Sequence, residues 1–296
     1  MYNNQLHEEY QYINMIKTII ENGNIENTRN GITKSIFGYS MRFSLKDGNL
    51  PLLTTKKTSW KTCFKELMFF IRGQTDNKIL KNSGVHIWDA NSTRNFLDSR
   101  NLNEYPEDCL GPIYGFQWRH WNTPYEGHTV DYSKKGIDQL ANIIHSLKTP
   151  ELRSSRRLIL TAWNPEQIDQ MALPPCHIIA QFNVRDGKYL SCCLFQRSGD
   201  VGLGVPFNIA SYSLLTHILA KHCGLIAEEF IYFIGNAHIY EKHTLPLLKQ
   251  ITNIPYTFPS IDITTIHDNI EDYTSKDIKF INEYKFHEKI EMEMVP

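Results

Sequence analysis

The chain has 296 residues, of which 41% are hydrophobic and 21% charged, the balance of a globular protein able to bury a large core. A formal net charge of −1 excludes the basic footprint that nucleic acid or an anionic membrane requires, so any bound anion has to be met by local groups. No stretch approaches the roughly 18 apolar residues that span a bilayer, and the first residues lack a basic n-region and an apolar h-region. Six cysteines without Cys-x-x-Cys spacing predict reduced thiols, no zinc site and a cytoplasmic chain, with the nucleus also open to it.

Tyr12, Ile13, Ile16, Ile19 and Ile20 recur at helical spacing, and Gly23 among its asparagines ends that helix. From Ile36 to Phe43 the pattern alternates instead, which predicts a strand with Phe37, Tyr39, Met41 and Phe43 on one face. Phe64 to Phe70, continuing toward Leu80, predicts a largely buried helix interrupted at Gly73. The polar run Asp98 to Asp108 predicts a surface excursion between Trp88 and Trp118, which both have core character. Gly136 to Leu147 predicts an amphipathic helix with Ile137, Leu140, Ile143, Ile144 and Leu147 on its stripe. Leu158 to Trp163, Ile178 to Val184 and Tyr189 to Gln196 predict strands, the last two joined as a hairpin through Arg185-Asp186-Gly187-Lys188. Ile209 to His222 predicts the most hydrophobic helix and Phe230 to Ile234 a further strand. Helices and strands mix without regular βαβ alternation, and no repeat or linker divides them. The expected fold is therefore α+β: one domain over residues 1–296, with a mixed, mainly antiparallel sheet and flanking helices.

Cys176 is the residue with most chemistry in it. A free cysteine is usually inert packing, and Cys192 and Cys193 inside the apolar run Tyr189 to Phe195 fit that description. Pro174 and Pro175, however, fix the backbone ahead of Cys176 and set its thiol on a stiff loop rather than inside a strand. Gln196-Arg197-Ser198-Gly199-Asp200 returns across the predicted hairpin, and a nearby guanidinium favours thiolate, the nucleophilic form. Arg156 and Arg157 read either as solvated loop charges or, with Arg197 and Ser198, as a forked grip on a phosphate. Gly202 to Tyr212 is a glycine-containing loop feeding a buried helix, without G-x-G-x-x-G spacing. Its Asn208 is either an N-cap or an amide that pairs with the imide edge of a uracil ring. His238 and Tyr240, two apart on a strand end, share a face and either fill the core or bind a sugar hydroxyl.

Several segments, in order, then carry a resemblance: Thr54-Thr55-Lys56-Lys57, Ile87-Trp88-Asp89-Ala90-Asn91, Leu110 to His120, Ser155-Arg156-Arg157, Ala172 to His177, Gln196 to Asp200, Gly204 to Tyr212 and His238-Ile239-Tyr240. With them the chain closely resembles the thymidylate synthase family, in its form with the eukaryotic-type insertion. The resemblance implies reductive methylation of dUMP to dTMP by the cosubstrate 5,10-methylenetetrahydrofolate, which leaves as dihydrofolate, with no metal. It implies Cys176 as the nucleophile that adds to carbon 6 of uracil and Arg197 as the group that stabilises its thiolate. By the same resemblance Glu66 organises water and proton transfers, Tyr114 and His177 support removal of the carbon 5 proton, and Asn208 and Asp200 complete the catalytic set. The dUMP contacts it implies are Arg29, Arg156, Arg157, Arg197 and Ser198 on the phosphate and Asn208 on the uracil. His238 and Tyr240 fall to the 3′-hydroxyl, with Gln196 and Asp200 as further contacts. Folate falls to Ile87, Trp88, Asn91, Asp200, Leu203, Gly204, Phe207 and, in the C-terminal tail, Val295. A homodimer is implied too, its sheets packed face to face and Arg156 and Arg157 reaching the partner's site.

Four positions depart from the family pattern. The loop Thr28 to Ser35 is one residue shorter than usual, so the place of Arg29 depends on where the gap falls. Phe69 stands where tryptophan is usual, Asn236 where aspartate is usual, and Pro296 ends the tail in place of an aliphatic residue. The nearest alternative is a nucleotide hydroxymethylase, which shares fold and cysteine but finishes the intermediate with water. Asn208 favours uracil over cytosine, and Trp88, placed to shield the intermediate, favours hydride over water. A non-catalytic nucleic-acid regulator is opposed by the near-neutral charge. A Cys-His hydrolase is opposed because neighbours Cys176 and His177 point in opposite directions on an extended segment.

Overall fold

The computed structural model describes residues 7–28 and 30–295. Helix α1 (Tyr10–Asn22) buries the predicted stripe of Tyr12, Ile13, Ile16 and Ile19, and Gly23 ends it. Glu9, immediately before α1, is fully buried. Its carboxylate accepts from the backbone N–H and hydroxyl of both Thr54 and Thr55, which fixes that turn to the start of α1. Strands β1 (Asn24–Thr28) and β2 (Gly31–Ser44) form a tight hairpin, with Thr28 opposite Gly31. The single face expected for β2 is corrected: Met41 and Phe43 are buried, but Phe37 is 88% exposed. Gly38 is the reason, because its φ of +83° breaks the alternation in a conformation that favours glycine.

The next helices pack over one side. Helix α2 (Trp60–Ile71) ends before Gly73 as expected, and α3 (Asn77–Asn82) starts anew from an Asp76 cap. Helix α4 (Arg94–Ser99) leads into the polar excursion, and α5 (Tyr114–His120) and α6 (Gln139–Lys148) follow it. Ile137 is not on the α6 stripe, since Asp138 caps the helix after it and leaves Ile137 exposed. Helices α2 and α5 approach unusually closely at Gly115, where a Cβ would lie 2.3 Å from the Phe70 carbonyl oxygen.

Strand β3 (Ile159–Thr161) is shorter than the predicted Leu158 to Trp163. Strands β4 (His177–Arg185) and β5 (Tyr189–Asp200) form the expected hairpin, with Asp186 and Gly187 both at positive φ in its turn. Helix α7 (Gly204–His222) is buried on nearly every side and carries the chain across to β6 (Ile226–Tyr240), parallel to β5. Helix α8 (Thr244–Gln250) and a small ribbon of β7 (Ile261–Ile263) and β8 (Ile278–Phe280) complete the chain. The main sheet runs β1-β2-β6-β5-β4-β3, antiparallel except for β6 and β5. This is the expected α+β architecture. Both β5 and β6 run past their predicted ends, pairing Ser198 with Asn236 and Asp200 with His238, and these extensions carry the site. Among the described residues no helix is long and apolar enough to cross a membrane.

Candidate active site

Cys176 stands at the foot of β4, where the ladder is irregular. Ile179 pairs with Phe195, but His177 pairs with Gln196, so a bulge lies between them. Without it, Cys176 would face Ser198. With it, Arg197 donates its backbone N–H to the Cys176 carbonyl at 2.9 Å and brings Nη2 to 3.9 Å from the Cys176 sulfur. The carbonyls of Pro175 and Pro174 accept from Arg197 Nε at 2.8 Å and Nη2 at 3.0 Å, so the stiff loop holds the guanidinium as well as the thiol. Burial nevertheless pushes the Cys176 thiol above its ordinary value, and the Arg197 charge offsets only part of that rise. Arg197 therefore acts in the expected direction, toward the thiolate, while the desolvation of Cys176 acts against it and is the larger influence.

A cavity of about 410 Å³ opens over this pair. Of the predicted residues it gathers Cys176, Arg197, Ser198, Asp200, His238, Tyr240 and Val295. It is also lined by Asn236 and by Thr28, Asn30 and Thr33 of the loop singled out in sequence, and by Glu26, which sequence reasoning missed because a polar hairpin residue carries no signal of its own. The Asn236 side-chain oxygen accepts from His238 Nδ1 at 3.1 Å, while burial lowers the pKa of His238. A neutral imidazole so oriented presents Nε2 as an acceptor, suited to a hydroxyl. A larger depression of about 1160 Å³ lies elsewhere, on the outer sheet face among Arg42, Gln181, Cys193 and Glu229, and is away from this chemistry.

Behind Cys176 lies a layer of aromatic and titratable groups. The Cys176 backbone N–H donates to the Tyr114 hydroxyl at 2.8 Å, and the Tyr114 ring stacks on His177 at 4.0 Å. His177 Nδ1 meets the Tyr212 hydroxyl at 2.7 Å, on the side away from any thiol–imidazole pair. Burial pushes His177 down to about 3 and Tyr114 well above the usual phenol range, so neither changes charge near neutrality. Glu66 differs. Burial raises its carboxyl to about 7, even though the Trp88 indole N–H donates to it at 2.8 Å and pulls the other way. Trp88, read in sequence as a shield, is thus also a direct partner of Glu66.

Asp200 connects the cavity to the start of α7. The Asp200 carboxylate accepts from Gly202 N–H at 2.8 Å and Leu203 N–H at 3.4 Å, fixing the turn that leads to Gly204. Asn208 is not an N-cap: α7 begins at Gly204, which puts Asn208 in its second turn with a half-buried side chain that no described residue hydrogen-bonds. Phe207 and Ile87 are half-buried against the core, and Asn91 keeps a buried amide nitrogen without a partner among the described residues. Gln196, expected as a further dUMP contact, is buried and is not among the residues that line the cavity. Its amide nitrogen donates to the Ser198 carbonyl within β5, and its amide oxygen accepts from the Tyr232 hydroxyl of β6. Arg156 and Arg157 are exposed, away from the cavity lining and without an ion pair to any described residue. Arg29 lies outside the described residues. No cluster of three metal-ligating side chains occurs among the described residues.

Fold and site together define an α+β protein with a cysteine-centred pocket at the carboxyl ends of two parallel strands. The thymidylate synthase family model matches residues 10–296, and the chain belongs to that family. It is 48% identical to the bifunctional dihydrofolate reductase-thymidylate synthase of Zea mays over 290 residues, 97% of this chain and 54% of that protein. The proteins of the same name from Plasmodium chabaudi and Leishmania major are 50% and 47% identical, over 97% of this chain and 49% and 55% of theirs. The chain spans about half the length of these curated relatives.

Proposed function

We propose that this chain, acting as one domain, is a thymidylate synthase: it converts dUMP to dTMP with 5,10-methylenetetrahydrofolate and releases dihydrofolate. The observation that carries the reading is Cys176 beside Arg197 in one cavity with Ser198, Asp200, His238 and Tyr240. The Cys176 sulfur adds to carbon 6 of the uracil, which makes carbon 5 an enolate carbon able to attack the methylene group. Carbon 5 bonds to the methylene, and loss of the carbon 5 proton then breaks the bond from that methylene to the folate nitrogen, leaving an exocyclic methylene on the sulfur-bound ring. A hydride from the tetrahydrofolate adds to that methylene as the sulfur departs from carbon 6, which gives the methyl group, restores the ring and leaves dihydrofolate. Since the thiol by itself favours its protonated form, a proton must leave as substrate binds, and Glu66, poised near 7, suits the proton traffic.

The phosphate falls to Arg197 and Ser198, the 3′-hydroxyl to the acceptor nitrogen of His238 and to Tyr240, and the uracil edge to the unpartnered Asn208 amide. Arg156 and Arg157, exposed and without an ion pair to any described residue, support donation to the site of a second copy in a face-to-face homodimer. Arg29 remains a proposed phosphate contact. Folate is assigned to Ile87, Trp88, Asn91, Asp200, Leu203, Gly204, Phe207 and Val295, and the buried free amide of Asn91 fits a polar ligand group. Six free cysteines support a reducing compartment, the cytoplasm or nucleus.

Purified chain given dUMP and methylenetetrahydrofolate is expected to form dTMP and dihydrofolate in equal amounts. Cys176→Ser should lower turnover by about a thousandfold or more while keeping dUMP binding. Hydroxymethyl product without dihydrofolate, or a Cys176→Ser variant with most of its activity, would sink the reading.

A further inference from the structure

The C-terminal tail reaches the cavity, where Val295 is part of the lining with Cys176. Upstream it is tethered by the Tyr284 hydroxyl, which donates to the Leu53 carbonyl at 2.5 Å, and by His287 N–H, which donates to the Thr54 carbonyl at 2.8 Å. Near its end the anchor is His243. That side chain is fully buried, and its Nε2 donates to the Glu293 carbonyl at 2.7 Å. On the other side its Nδ1 faces Asp200 Oδ1 across 3.5 Å. Close approach is possible because residue 202 is glycine: a Cβ there would sit 2.7 Å from His243 Nδ1 and 3.0 Å from Met292 Sδ. Lys56, buried below the turn, donates to the Gly202 carbonyl. The second tail link, Lys242 with Glu293, is an exposed ion pair of a kind that contributes little.

We propose that His243 is a positioning residue for the tail: its imidazolium holds the Glu293 carbonyl with one nitrogen and the Asp200 carboxylate with the other, and so closes the tail over the cavity. Neutral His243 can keep the carbonyl bond only by turning a lone pair toward Asp200, which weakens the clamp. The charged and titratable groups around it are Asp200, Lys56, Lys242, Glu293, His238 and Tyr240. Burial is the largest single influence on His243 and lowers it. The Asp200 carboxylate and the Glu293 carbonyl together outweigh burial and leave its pKa above the ordinary imidazole value. A group raised in the closed state stabilises that state at low pH and loses the effect as pH rises through the raised value. Tail closure should therefore weaken as pH rises above the ordinary imidazole range, and with it the retention of folate.

Lys56, lowered by burial to about 8, titrates in the same window, so the variants have to separate the two. Hydrogen exchange of the C-terminal peptide in the unliganded full chain, corrected for intrinsic rates, reads closure without any assumption about the reaction. Wild type should lose about tenfold of tail protection as pH rises above the ordinary imidazole range. His243→Gln keeps a donor for the Glu293 carbonyl but cannot titrate, and its tail protection should be independent of pH. His243→Leu should lose protection at every pH and raise the KM for methylenetetrahydrofolate with dUMP affinity kept. A flat wild-type profile, or an unchanged pH dependence in His243→Gln, overturns the proposal, and that comparison stands even if His243→Leu does not fold. The catalytic consequence rests on the synthase reading. Were turnover absent and the exchange result as expected, the synthase reading would fall and the clamp would stand.

Discussion

Glu66 and Trp88 are paired by a hydrogen bond whose effect on proton transfer can be measured directly. The indole N–H favours the ionised carboxylate and so works against the burial that raises Glu66 to about 7. Trp88→Phe keeps an aromatic filler but removes the donor. The Glu66 carboxyl should then titrate about one pH unit higher, as the loss of one charge-assisted hydrogen bond dictates. Infrared difference titration, with Glu66→Gln identifying the band, checks this, and an unmoved midpoint would refute the pairing. Tyr114 and His177 are opposite in kind. Burial holds both uncharged, so they act through orientation and hydrogen bonding, and no limb of a pH–rate profile should belong to them.

At the scale of elements, the site depends on how closely two helices approach. Helix α2 carries Glu66 and α5 starts with Tyr114, and their contact is backbone against side-chain-free backbone at Gly115 and Phe70. Gly115→Ala would place a methyl 2.3 Å from the Phe70 carbonyl, a distance that only a helix shift can relieve. We expect a loss of about 1–3 kcal/mol in urea denaturation, typical of overpacking, together with a fall in kcat as Tyr114 moves from the Cys176 amide. Unchanged stability would mean that the helices slide apart freely. The β4 bulge is the comparable device in the sheet, since a one-residue offset decides that Arg197 rather than Ser198 stands beside the thiol.

At the scale of the whole molecule, the described residues leave one sheet face uncovered. Ile179, Phe195 and Phe233 lie in one row across β4, β5 and β6 and are each about two-fifths exposed (40, 42 and 43%), an apolar stripe suited to a second copy. If sites are shared across that face, mixing Cys176→Ser chains with chains carrying Arg156→Ala and Arg157→Ala should restore activity. Subunit exchange would give some dimers one site with an intact thiol and intact arginines, up to about a quarter of wild-type activity by random assortment. Two inactive parents that stay inactive after exchange would count against donated arginines.

Much of this was legible in the chain itself. Helical spacing marked α1, α2 and α7, alternation and an Asp-Gly turn marked the β4/β5 hairpin, and two prolines marked Cys176 as a thiol on a stiff loop, because all these signals are local. The ordered motifs also named the cavity residues Cys176, Arg197, Ser198, Asp200, His238 and Tyr240. What pattern could not supply depends on partners distant in sequence. Burial that opposes Arg197 and raises the Cys176 thiol, the Trp88 bond to Glu66, the internal hydrogen bonds of Gln196, and the Gly38 kink that turns Phe37 outward are all tertiary results. Desolvation and hydrogen-bond choice are set by everything that packs around a group. The sequence by itself therefore determined the elements and the set of candidate site residues, and only the tertiary structure decided which of them pair, how burial shifts their protonation, and which are left free for a ligand.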